Sequence, residues 1–386
     1  TPIQMTNPNL QTPAAQVRSS INTEGIAPGD AGSTGNVSSG VGSYRRINFF
    51  GNGTTLLGIY IVNILLMIPT LLIYFFWGKI RAARYLYSQA DLDGDRFEFH
   101  GTGLELFLGF IKAILAIGVV IGSAFAIMYL VPGVIAKILG GIFIYIVIVL
   151  LIPLAILFTV KYRYSRTSWR GVRFSFRGNT KEFLKLYVKG FFLTSLTAGF
   201  YYYSFHYRTR EYLINNIYFG DTKFEFDGNI NDLYSRYTKL WLVAILISGA
   251  HQLLTVFMPT IGTDILDIGY FVLFIIWGIF FLKFLAQRHN HYWNHTKFVS
   301  ARFNLNIEEK DYVKLQIVNY ILLIFTLGIA YPYVQIRNIK FLLDRLSLQG
   351  DLDLIAIQQD ARTPTALGEE VASFLDIDLV GMDLGI

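Results

Sequence analysis

Four long apolar runs constrain this chain more than any other feature of its sequence. They occur in two pairs, at residues 104–130 and 134–160 and at residues 241–258 and 265–282. Each run is near the roughly 20 residues that a helix needs to cross about 30 Å of hydrocarbon. Only 16% of the residues are charged and 53% are hydrophobic, a balance that is untypical of soluble domains. The sequence therefore predicts a polytopic membrane protein of mainly α class with four transmembrane helices.

An internal repeat indicates how these helices are arranged. A shift of 127 residues without a gap aligns many identical residues, and a shift of 256 adds a third, shorter copy. Aligned sets include Phe49 with Phe176, Arg81 with Arg208, Lys112 with Lys239, and Thr70 with both Thr197 and Thr326. Each unit contains an alternating strand, an apolar stretch, a basic aromatic helix and a second alternating run, and two spans complete the first two units. The predicted divisions are a low-complexity segment (1–43), unit 1 (44–170), unit 2 (171–299), a truncated unit 3 (300–350) and an acidic tail (351–386).

The apolar stretch that opens each unit leaves two topologies open. Residues 54–77 can span the membrane once, or they can form a hairpin that enters and returns on one side. A single span would scatter Arg and Lys over both faces, whereas a hairpin keeps nearly all of them on one face. The positive-inside rule favours the hairpin and a cytoplasmic basic face. We therefore expect tandem repeats of strand, re-entrant helical hairpin, short strand and two transmembrane helices, with small cytoplasmic β elements and both termini in the cytoplasm.

Charge is distributed unevenly along the chain. The net charge is +6, but residues 347–386 hold eight acidic residues and a single base, Arg362. The excess bases flank apolar spans, which indicates anionic phospholipid as a partner and excludes nucleic acid. The bases that we assign to lipid headgroups are Lys79, Arg81, Arg84, Arg208, Arg210 and Arg337.

Two lysines lie just inside predicted spans. Lys112 follows Glu105 by seven residues, and Lys239 follows Asp232 by the same distance, so each acid shares a helix face with its lysine. One interpretation is an ion or anionic-substrate pathway, because charges within spans are candidate functional groups. The other is that the acids favour helix N-termini while the lysines extend to headgroups.

Histidines form a second candidate cluster. His289, His291 and His295 lie close together, and the last two are one helical turn apart, so they can share a metal ion. Aligning the ends of the first two units places His295 at Arg166 and His291 at Tyr162. That alignment favours an interfacial strip over a metal site, so we expect no bound metal or cofactor.

Asn63 and Asn319 lie at equivalent positions in the middle of apolar stretches. They predict either an interhelical hydrogen bond or a pore-lining contact.

The chain has no cysteine, which excludes disulfides, thiolate metal sites and cysteine nucleophiles. It also lacks a P-loop, a Gly-x-Ser-x-Gly turn and a His-Glu-x-x-His motif, so we expect a protein that is not an enzyme.

Several of these motifs resemble the YjgN family of bacterial inner-membrane proteins. They are the aromatic-Gly strand, the stretch around Asn63, the turn from Trp77 to Arg81, the run from Phe97 to Gly101, and the segment 368–378. The resemblance covers residues 44–386 and implies a bacterial inner-membrane location without implying an activity. We expect a scaffold or accessory subunit that docks other membrane proteins, or itself, through its termini and cytoplasmic face. The alternative is a small-solute or ion transporter or channel with a pathway near Lys112 and Lys239.

Overall fold

The computed structural model describes residues 44–131, 133–258 and 263–350. The predicted segments 1–43 and 351–386 lie outside these residues. Along the described residues the chain forms ten helices, numbered in chain order. They are α1 (Gly53–Met67), α2 (Phe75–Ser88), α3 (Gly103–Leu130), α4 (Val134–Ser165), α5 (Thr180–Leu196), α6 (Tyr202–Ile214), α7 (Asn231–Phe257), α8 (Thr263–Asn294), α9 (Glu309–Phe325) and α10 (Tyr331–Leu343).

Four of these helices are much longer than the rest. α3 and α4 have 28 and 32 residues, and α7 and α8 have 27 and 32. At 1.5 Å per residue they are roughly 40 to 48 Å long, enough to cross a bilayer. Within the described chain they are the helices whose length and apolar composition suit a membrane span, which confirms the four predicted spans. α3 packs on α4 and α7 packs on α8, so we call these pairs the first and second long hairpins.

The remaining helices form three shorter antiparallel pairs, α1–α2, α5–α6 and α9–α10. A threonine fixes each turn. The Thr70 hydroxyl donates to the Leu66 carbonyl at 2.7 Å and accepts the Tyr74 N–H at 3.1 Å. Thr197 and Thr326 bond the residues four before and four after them in the same way. One hydroxyl thus satisfies a carbonyl and an N–H that the interrupted helix leaves free.

Residues 44–350, where the structure describes them, also form ten strands. They are β1 (Tyr44–Phe49), β2 (Ala90–Leu92), β3 (Asp95–Phe99), β4 (Thr167–Trp169), β5 (Val172–Phe176), β6 (Ile217–Phe219), β7 (Thr222–Phe226), β8 (Thr296–Phe298), β9 (Ala301–Leu305) and β10 (Leu346–Gln349). They pair antiparallel in the order β1-β10-β9-β8-β7-β6-β5-β4-β3-β2 and close into a barrel. The prediction of small β elements therefore needs correction, since the strands form one closed sheet. Closure was missed because β2, β4, β6 and β8 have only three residues each, too few to show an alternating pattern.

The two ends of the barrel differ. Every helix pair leaves from and returns to one end, where Phe49 of β1 lies opposite Ala90 of β2. Two-residue turns close the other end, which we call the turn end. In the first of them, Asp93 and Gly94 have φ values of 55° and 86°, the left-handed pair that a tight hairpin with matching twist requires. β1 begins and β10 ends at the turn end, with Tyr44 opposite Gln349.

The barrel interior is filled by a ring of apolar side chains, one from each strand. Alternation along a strand sends every second side chain inward, and cross-strand partners then meet. The Phe224 and Phe298 rings stack at 4.6 Å between centroids, and Phe174 lies 4.8 Å from Phe219. The members of this ring are Ile47, Leu92, Phe97, Trp169, Phe174, Phe219, Phe224, Phe298, Phe303 and Leu348.

Candidate functional site

A cavity of about 180 Å³ lies where the barrel meets the helices. The ring of apolar side chains forms its walls, and the barrel-side ends of α4, α6 and α8 contribute Tyr164, Ile214 and Trp293. Its lining is almost wholly aromatic and aliphatic, so its chemistry suits a small apolar group.

Arg210 is one of the few polar residues in that lining, together with Arg45 and Thr296. Its side chain is only 9% exposed, and its guanidinium lies 5.4 Å from the centre of the Tyr292 ring. The prediction that Arg210 binds lipid headgroups does not fit this position, because α6 turns it toward the barrel and away from the surface. The other predicted headgroup bases lie further out. Arg81, Arg84 and Arg208 are exposed, and Lys79 and Arg337 are half-buried.

The barrel-side ends of the two long hairpins hold the predicted acids, and we call them hairpin bases. The first base consists of Glu105, Tyr162 and Arg166. The Thr102 hydroxyl and the Glu105 carboxylate form a reciprocal capping box that starts α3. Arg166 Nη2 also donates to Glu105 Oε1 at 3.1 Å, and the Tyr162 hydroxyl donates to Glu105 Oε2 at 3.4 Å. An ion pair and a hydrogen bond therefore join α3 to α4 at this base.

The second base consists of Asp232, His291 and His295. Asp232 lies in the first turn of α7, and His291 Nδ1 is 3.7 Å from Asp232 Oδ2. The His291 and His295 rings are 4.3 Å apart, and one candidate ligand atom from each of the three residues lies within 4.8 Å of the others. His289 is elsewhere, since its Nε2 lies 3.4 Å from the Tyr312 hydroxyl on α9. The structure thus replaces one of the three predicted histidines by an aspartate.

The residue that follows β3, near the first base, also differs in chemistry from the residue that follows β7, near the second base. His100 Nε2 lies 2.7 Å from the Ser168 hydroxyl, whereas Asp227 accepts bonds from Lys297 at 2.6 Å and Arg302 at 2.7 Å. Partial burial raises the pKa of Asp227, but the Lys297 hydrogen bond and the Arg302 and Lys297 charges lower it more. The pKa of this carboxyl therefore lies below its ordinary value of 3.8.

Lys112 and Lys239 do not lie between helices. Both side chains are exposed on the outer surfaces of α3 and α7. Glu105 forms an ion pair with Arg166 at the end of α4. A pathway near the two lysines remains a prediction, and in this arrangement it would run along the outside of the long hairpins.

Asn63 and Asn319 are both buried and both join the two helices of a short pair. Asn63 Nδ2 donates to the Gly78 carbonyl at 3.0 Å, and Asn319 Nδ2 donates to Asn338 Oδ1 at 2.7 Å. A Cβ atom at Gly78 would lie 2.9 Å from the Asn63 side chain, so a glycine allows this close approach. These contacts match the interhelical hydrogen bond that the sequence predicts as one of two roles.

The sequence did not identify Tyr162 and Arg166 as the partners of Glu105. The alignment of the first two units nevertheless matched these two residues with His291 and His295. The signal was present in that alignment, because Tyr162 and Arg166 both change to histidine while the acid at Glu105 is kept as Asp232. It did not find the ring of apolar side chains either, since the inward residues of three-residue strands cannot be told from sequence alone.

Comparison with known proteins gives a family without an assigned activity. A family described as "bacterial protein of unknown function (DUF898)" matches residues 44–374. The chain is similar to "inner membrane protein YjgN" of Escherichia coli K12, at 33% identity over 35% of this chain and 32% of that protein. It is also similar to the protein of that name from Salmonella typhimurium, at 23% identity over 81% of this chain and 91% of the relative. The match thus spans about a third of the E. coli relative. No solved structure matches.

Proposed function

The chain belongs to the DUF898 family of bacterial proteins of unknown function, and we propose that it is a non-enzymatic scaffold or accessory subunit. It is a multi-pass inner membrane protein, because its relatives are named as such and four of its helices have the length and composition of spans. The turn end of the barrel is the surface on which a partner would dock.

One observation carries this proposal. β1 and β10 are neighbours, and Tyr44 lies opposite Gln349, so both flanking segments join the barrel side by side at the turn end. Residues 347–386 hold eight acidic residues and one arginine. Two segments that share one attachment point can hold a single partner together, and the acidic one favours a partner with a basic surface. The proposed partner is therefore a protein that presents Lys and Arg to the turn end.

We further propose that the three short helix pairs are re-entrant and that the turn end is cytoplasmic. α1 and α2 have 15 and 14 residues, or roughly 21 to 23 Å each, too short to cross about 30 Å of hydrocarbon. The turns of the short pairs carry exposed apolar side chains. Leu71, between α1 and α2, is 85% exposed, and Leu327, between α9 and α10, is 92% exposed. The Thr70, Thr197 and Thr326 hydroxyls satisfy turn backbone groups that hydrocarbon would leave unpaired. Under this topology the units 44–170, 171–299 and 300–350 keep one orientation, and the positive-inside rule places their bases in the cytoplasm.

The absence of cysteine makes the topology directly testable. Single variants Lys137→Cys, Leu327→Cys and Asp221→Cys place a thiol at a long-hairpin tip, a short-hairpin tip and the turn end. A membrane-impermeant maleimide added to intact spheroplasts should label only Lys137→Cys. In inverted vesicles it should label only Asp221→Cys. Labelling of Leu327→Cys in spheroplasts would show that the short pair crosses the membrane.

Photocrosslinking in cells tests the scaffold. A photoreactive amino acid at Asp221 should give one dominant protein adduct, and the same residue at Lys137, on the opposite side, serves as the matched control. Replacing Asp351, Asp353 and Asp360 by asparagine should weaken that adduct, because it removes charge from the acidic segment. An unchanged adduct in the neutralised chain refutes the basic partner, and no adduct at Asp221 refutes docking at the turn end.

A further inference from the structure

The two hairpin bases place the same three positions in the same relation but fill them with different chemistry. In each, an acid in the first turn of one long helix faces the last turn of the other. In the first base, the carboxylate contacts the positively charged Arg166 and the Tyr162 hydroxyl. In the second base, the carboxylate lies beside the imidazoles of His291 and His295, and neutral imidazole nitrogens are metal ligands.

The distances in the second base suit a shared ion. Ligands about 2.1 Å from a tetrahedral zinc ion are separated by roughly 3.4 Å. The 3.7 Å between His291 Nδ1 and Asp232 Oδ2 is close to that separation, and all three residues offer ligand atoms within 4.8 Å of one another. Because His291 and His295 are four residues apart, they lie on one face of the end of α8.

Surrounding contacts orient the rings as metal ligands require. His295 Nδ1 lies 2.8 Å from the His291 backbone carbonyl, which fixes the tautomer and leaves Nε2 as a lone-pair donor. The His291 side chain is buried, and among the described residues its Nε2 has no hydrogen-bond partner. The Tyr207 ring lies 5.9 Å from that of His291, and the buried Tyr207 hydroxyl is also unpaired within the described part of the chain. The two nitrogens of an imidazole point in different directions, so an ion held at His291 Nδ1 leaves the ring hydrogen on Nε2.

We propose that Asp232, His291 and His295 bind one divalent transition-metal ion of the zinc class at the second hairpin base. Two imidazoles and one carboxylate are a ligand set that zinc accepts, with a fourth position open to water. The ion supplies between α7 and α8 the positive charge that Arg166 supplies between α3 and α4. The ion is therefore structural, and it holds α7 and α8 together at the base of the second long hairpin.

Metal binding by the intact chain tests this proposal. The full chain, purified in detergent without a polyhistidine tag, is stripped with EDTA and dialysed against Zn²⁺ or Co²⁺. Wild type should bind one Zn²⁺ per chain and give a Co²⁺ spectrum of nitrogen and oxygen ligation. Asp232→Asn, His291→Phe and His295→Ala should each weaken Zn²⁺ binding by at least about 100-fold, since even the outer partners of metal ligands contribute about 10- to 100-fold.

The chain offers a matched control and a second measurement. His251→Ala removes the histidine of a His–carboxylate contact away from the site, where His251 Nε2 lies 2.8 Å from Asp267 Oδ1 on the far ends of α7 and α8, and it should bind zinc like wild type. Zn²⁺, but not Mg²⁺, should also raise the melting temperature of stripped wild type, a test that needs no variant to fold. Zinc binding that all three ligand variants retain, or a stripped wild type that binds none, overturns the proposal.

Discussion

The two long hairpins differ in the side chains that join their helices at the base. At the base of the first, a carboxylate, a guanidinium and a phenol join α3 to α4 within the protein's own side chains. At the base of the second, a carboxylate and two imidazoles occupy the corresponding positions between α7 and α8. The Arg166 charge is permanent, whereas an imidazole is positively charged only when it is protonated. Under the proposal above, side chains alone join the two helices of the first long hairpin. In the second long hairpin, a metal ion taken up from the cell joins them.

Converting the second base into the first should give the largest effect. The double variant His291→Tyr/His295→Arg keeps Asp232 but replaces both imidazoles by the groups found at the first base. We expect zinc binding to fall by at least about 100-fold, and the melting temperature to become independent of Zn²⁺. Equilibrium dialysis and thermal melts in detergent measure both quantities. A double variant that still responds to zinc would show that the ion binds elsewhere.

The reverse exchange should create a second site. Tyr162→His/Arg166→His leaves Glu105 beside two imidazoles one helical turn apart. We expect this chain to bind two Zn²⁺ where wild type binds one, with the new site the weaker, because its surroundings lack the orienting contacts of the second base. Metal content after dialysis measures the change. A stoichiometry that stays at one would mean that the three positions alone do not define the site.

Removing the permanent charge of the first base should be moderately destabilising. In Arg166→Ala, the Glu105 carboxylate, whose side chain is 30% exposed in the intact protein, loses its ion pair. We expect unfolding to become easier by about 1 to 2 kcal/mol, the usual scale for a partly buried charged hydrogen bond. Titration with SDS in mixed micelles measures it. Arg81→Ala, an exposed arginine on α2, is the control and should change little.

The smallest effect concerns the phenol of the first base. Tyr162→Phe removes only the hydroxyl, whose bond to Glu105 is long at 3.4 Å and secondary to the Arg166 ion pair. We expect a loss of about 0.5 kcal/mol or less in the same titration, at the low end for a single hydrogen bond. A loss as large as that of Arg166→Ala would assign the closure of this base to the phenol.

The fold was predictable where the sequence signal is local. Apolar runs identify the four long helices, and Thr70, Thr197 and Thr326 mark the turns of the short pairs. The barrel was not predictable, because it depends on pairings between strands far apart in sequence, such as Tyr44 with Gln349. Strands of three residues also carry too little alternation to reveal which side chain points inward.

The candidate site was predictable in its parts but not in its grouping. The pair His291 and His295 follows from helical spacing alone. Asp232 lies 59 residues before His291 in sequence, and only the packing of α7 on α8 brings it there. Arg210 shows the opposite limit. Its basic, aromatic surroundings in sequence are those of a headgroup-binding helix, and only the direction of α6 relative to the barrel buries it.

The pairing of β1 with β10 also fixes when the molecule can be completed. The first strand must wait, with one edge unpaired, until the ribosome has released the residues of the last. By then the ten helices of the described residues have been synthesised, so membrane insertion precedes closure of the sheet. During that interval the edges of β1 and of the growing sheet are open to pairing with other chains. The order of synthesis thus makes the final strand the step that seals the protein against aggregation.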